Sequence, residues 1–75
     1  MTSEQEAELM GFAKKLAYRR ACEAVKALQV ANGGKAQDLT SQAIHLRAVK
    51  LLETNPGLEI RARIDVGKWI LAQLP

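Results

Sequence analysis

Apolar residues recur at helical spacing along the first third of the chain. Met10, Ala13, Ala17, Ala21, Ala24, Leu28 and Ala31 form one seam whose steps are mostly three and four residues, the interval at which side chains share one face of an α-helix. Most of these side chains are small, so a second helix is expected to approach closely along the seam. Tyr18 and Val25 lie beside it, and Leu9, Phe12, Leu16 and Val30 fall towards the other side. The pattern predicts a helix over about residues 3–31. Ser3 followed by Glu6 has the spacing of a capping box. Glu4, Glu6 and Glu8 sit where a helix dipole favours anions, and Asn32-Gly33-Gly34 supplies the stop. Such a helix is about 43 Å long at 1.5 Å per residue, with one and a half apolar faces.

Residues 32–38 read as a flexible linker by composition. A second helix is predicted over about 39–53, capped by Thr40 or by Asp38. Leu39 and Ile44 would form a hydrophobic staple, with Ile44, Ala48, Leu51 and Leu52 facing inward. Thr54-Asn55-Pro56-Gly57 is a break. Asn55 as cap with Pro56 at the first helical position is a start signal for a third helix over about 56–74.

The third segment carries two periods at once. Leu58, Ile60, Ala62, Ile64 and Val66 alternate with charged residues, the period of a half-buried strand at 58–66. Ile60, Ile64, Gly67, Leu71 and Leu74 also share one helical face, with Ala62, Val66, Trp69 and Ile70 away from it. The helical reading is favoured on the Asn-Pro start signal; nothing else in the chain reads as a strand, and a lone strand would need a partner from a second molecule. The expected fold is therefore all-α: three helices in one domain spanning residues 1–75, the long first helix packed against a shorter pair.

Composition narrows the chemistry. Of the 75 residues, 48% are apolar and 25% charged, an ordinary globular balance rather than a disordered one. A domain this small buries only about 60% of its unfolded surface and needs a staple. The single cysteine, Cys22, leaves no intrachain disulfide, and the single histidine, His45, leaves no Cys/His zinc cluster. Helix packing or self-association remains. One cysteine, no visible signal peptide and no stretch of 18 apolar residues point to a cytoplasmic protein with no membrane span. No cofactor motif is present, and Gly33-Gly34 alone is a turn rather than a phosphate loop.

No catalytic constellation stands out. Cys22 lies mid-helix without a neighbouring base and reads as a packing residue. His45, near the edge of the second helix's apolar face, reads as partly buried. Glu59 and Asp65 do not face each other on a helix, so they are expected to be solvated or paired with Arg61 and Arg63. The chain is therefore expected to be non-enzymatic and to bind. Its build is in the style of small bacterial or bacteriophage accessory proteins. The surplus apolar surface points to a protein-binding regulator, inhibitor or adaptor, and to a homodimer. Leu9, Phe12, Leu16, Val66, Trp69 and Ile70 are the candidate contacts, with Trp69 as an anchor. The alternative is a nucleic-acid-binding transcriptional regulator. It rests on the net charge of +3 and on Lys15, Arg19 and Lys26 along one stripe, with Arg61 and Arg63. Against it, aromatics are only 4%, and no helix-turn-helix spacing is present.

Overall fold

The computed structural model describes residues 2–73. It consists of three α-helices, α1 (Ser3–Ala31), α2 (Ser41–Thr54) and α3 (Gly57–Gln73), with a short 3-10 turn at Ala36–Asp38. There is no strand among the described residues, and residues 58–66 lie wholly within α3. The alternation there is carried by a helix with apolar residues on two sides. The predicted end at Leu74 lies outside the described residues.

The helix ends are set by local hydrogen bonds, and several differ from the predicted ones. The capping box on α1 uses Thr2 and Gln5 rather than Ser3 and Glu6. The Gln5 amide donates to Thr2 Oγ1 at 3.2 Å, and the Thr2 amide donates to Gln5 Oε1 at 2.9 Å. Threonine with glutamine satisfies the same orphan donors, one residue earlier. At the other end Gly33 takes a left-handed φ of 86°. Its amide donates to the Val30 carbonyl and that of Gly34 donates to the Gln29 carbonyl, the Schellman pattern that favours glycine at this position. The following segment is thus not an open linker, and its 3-10 turn lies against α1. Thr40 caps α2, accepting from the Ala43 amide at 3.1 Å. Asn55 does not cap α3: its side-chain amide donates back to the Leu51 carbonyl at the end of α2. The carbonyl of Pro56 accepts from the Ile60 amide, so Pro56 stands just before α3 rather than inside its first turn.

Both shorter helices pack on α1 and scarcely touch each other. Their placement follows from side-chain neighbours. Tyr18 meets His45, and Val25 and Leu28 border the same hollow as Leu51, which sets α2 along the second half of α1. Leu58 borders a hollow with Ala24 and Leu28, Asp65 pairs with Arg20, and Ile70 lies beside Leu9. α3 therefore runs antiparallel to α1 along most of its length. The molecule measures 46 × 21 × 19 Å, its long axis set by α1.

The buried residues are small: Ala13, Ala17, Ala21, Val25, Ala48, Ala62 and Val66. On α1 they step by four, so the buried line drifts around the helix from the α3 side to the α2 side. Val25 takes the place expected for Leu28, which is exposed. On α3 one of the two apolar faces is chosen. Ala62 and Val66 are buried, whereas Ile60, Ile64 and Leu71 are exposed. Close approach to an alanine seam selects small side chains on the opposing helix, so the bulkier stripe turns outward.

Candidate functional site

The apolar candidates divide sharply by position. Leu9, Phe12 and Ile70 come together with Gly67 and Leu71 along a groove of about 550 Å³ between the first half of α1 and the end of α3. Gln5 and Glu8 form its polar edge. Phe12 is 52% exposed, Leu9 and Ile70 are half-buried, and Leu16 is half-buried one turn beyond. Trp69 is 59% exposed and does not line the groove. Val66 is a correction: it is 7% exposed, part of the helix contact itself, and offers no surface to a partner. Sequence reasoning passed over Gly67 and Leu71 as site residues, because α3 has two apolar sides and the candidates were drawn from the other one.

The basic residues do not form one free surface. Lys15 and Arg19 are exposed on α1. Lys26 pairs with Glu23 at 3.5 Å and Arg61 with Asp65 at 3.4 Å, while Arg63 is exposed and has no ion pair among the described residues. The strongest pair joins helices: Arg20 and Asp65 lie 2.7 Å apart. The Arg20 hydrogen bond, with the charges of Arg61, Arg20 and Lys68, holds the Asp65 carboxyl below its ordinary range.

Cys22 and His45 both fall beside Tyr18. The Tyr18 hydroxyl and His45 Nδ1 share a hydrogen bond of 2.7 Å, and the two rings meet edge to face at 5.6 Å. Hydrogen bonding with Cys22 and partial burial push the Tyr18 phenol above its ordinary value. This trio ties α1 to α2 at the edge of a cluster that includes Ala21, Val25 and Ala48. Among the described residues no three acidic, histidine or cysteine side chains gather around a common metal position. Among the described residues no helix is long and apolar enough to cross a membrane.

No protein-family model matches this chain, and neither a curated protein nor a solved structure matches it.

Proposed function

We propose that this chain is a protein-binding module that acts through apolar helix faces, a non-enzymatic regulator, inhibitor or adaptor. One observation carries the reading. Among the described residues the buried core holds only alanine and valine, while Phe12, Leu28, Ile60, Ile64, Trp69 and Leu71 stand outside it. Apolar surface left in water is unfavourable by about 25 cal/mol per Å². Contiguous patches of it mark interaction surfaces on small proteins, and exposed aromatic residues are the commonest anchors.

The test is affinity capture from the host's own lysate with the tagged chain and with the double variant Phe12→Ser/Trp69→Ser. Neither side chain belongs to the fully buried core, so the variant is expected to keep its helical circular dichroism. A defined protein retained by the native chain and lost with the variant is the expected result. If the native chain retains nothing beyond the bead blank, and does not associate with itself, the reading is overturned.

A further inference from the structure

The outer face of α3 carries Ile60, Ile64, Gly67 and Leu71 at spacings of four, three and four. These positions fall within about 60° of one another at 100° per residue, the a/d pattern of a helix-pairing seam. They lie roughly 150° around the helix from Ala62 and Val66, which face α1. Ile60 is 54% and Leu71 68% exposed. A Cβ on Gly67 would meet nothing within the chain. The monomer thus has no packing reason for a glycine that is disfavoured in a helix interior.

We propose that this face pairs with the same face of a second copy of the chain, antiparallel, with the two helices crossing at Gly67. The inference rests on the reading that the apolar faces bind protein, and it names the occupant. Surface area supports a second copy. A compact chain of 8.2 kDa is expected to expose about 4,500 Å², and this one exposes 5793 Å². The excess of about 1,300 Å² lies within what each chain of an obligate homodimer buries. The radius of gyration agrees, at 14.7 Å against about 11 Å for a compact domain of this length.

Charge on the Arg63 margin favours the antiparallel arrangement. Arg63 and Ile70 share one margin of the stripe, seven residues apart, and Ile70 is on the side where α1 contributes Glu8 and Phe12 to the groove. A two-fold axis passing Gly67 at right angles to α3 sets Ile64 against Leu71 of the partner subunit. It also brings Arg63 over Glu8 of the partner subunit. Neither Arg63 nor Glu8 has an ion pair within the chain among the described residues. A parallel pairing would instead set Arg63 against Lys68 of the partner subunit, like against like. On the other margin Arg61 is held by Asp65, whose ionised form the charge of Lys68 also favours.

Sedimentation equilibrium of the full chain, from about 1 to about 200 μM, brackets micromolar affinities. Twice the monomer mass of 8.2 kDa is the expected end point. Gly67→Ala raises helix propensity, so it does not act by unfolding; an added Cβ at the crossing is expected to weaken the dimer roughly tenfold. Glu8→Arg and Arg63→Glu are each expected to weaken it roughly threefold to tenfold, and the double exchange to restore it. A chain that stays monomeric throughout overturns the proposal, as does a dimer unmoved by Gly67→Ala and unrestored by the double exchange. A monomer that still captures a host protein through Phe12 and Trp69 would refute self-pairing and leave the protein-binding reading standing.

Discussion

Where α1 meets α2, Tyr18, Ile44, Leu51 and Leu52 close around Ala21, Val25 and Ala48, and a tyrosine–histidine hydrogen bond spans the edge. Where α1 meets α3, the buried residues are Ala13, Ala17, Ala62 and Val66, with one ion pair alongside. The first contact uses its large side chains to close its own core. The second brings two backbones close on small residues and turns its large side chains outward. A helix can thus be committed to its fold on one side and carry an apolar stripe on the other; around α2 the exposed apolar residues, Leu28, Leu46 and Val49, stand singly instead of forming such a stripe.

Overpacking should separate the two contacts most strongly. Ala62→Leu has no room on the α1–α3 seam and is expected to lose about 3 kcal/mol. Ala48→Leu should lose less, because its neighbours Leu51 and Leu52 are only partly buried and can yield. Urea denaturation of both variants measures the difference, and equal losses would erase the contrast. Truncation should reverse the ranking. Ile44→Ala removes a half-buried side chain from the α1–α2 cluster and is expected to cost roughly 1–2 kcal/mol. Ile60→Ala should cost below about 0.5 kcal/mol, measured at high dilution where self-association is absent.

The smallest effect concerns acid. Asp65 has its carboxyl held below the ordinary value in the folded chain, so its contribution is fully present above the unfolded value of about 3.9 and is lost as pH falls through the folded one. Stability measured by urea titration should therefore decline on acidification below about pH 4. Arg20→Met should flatten that decline while leaving the α1–α2 cluster unchanged. An unaltered slope would mean that the ion pair plays no part in holding α3.

The three helices were legible because each signal was local: apolar residues at helical steps, a threonine cap at position 40, glycines after residue 32. The inner face of α2 was legible for the same reason: Ile44, Ala48, Leu51 and Leu52 share one side, although Leu46 and Val49 stand exposed on the other. α3 was not. Its two apolar faces are equivalent in a single sequence, and the choice between them depends on the alanine seam of α1, a property of the partner helix. The same limit hid the Arg20–Asp65 pair and the Tyr18–His45 pair, each joining residues far apart in sequence. It also placed Val66 among the surface candidates, although Phe12, Leu9 and Ile70 did assemble along one groove.

α2 and α3 share almost no contact of their own, so each is secured to the remainder of the fold through α1. Detaching either one leaves the other's contact with α1 intact, which makes local opening a two-branch process rather than a single cooperative event. Amide hydrogens of α3, held by an alanine seam and one ion pair, should exchange with solvent sooner than those of α2. A second copy lying along α3 would slow that branch alone, so dimerisation would register as a concentration-dependent rise in protection confined to α3 and the part of α1 beneath it.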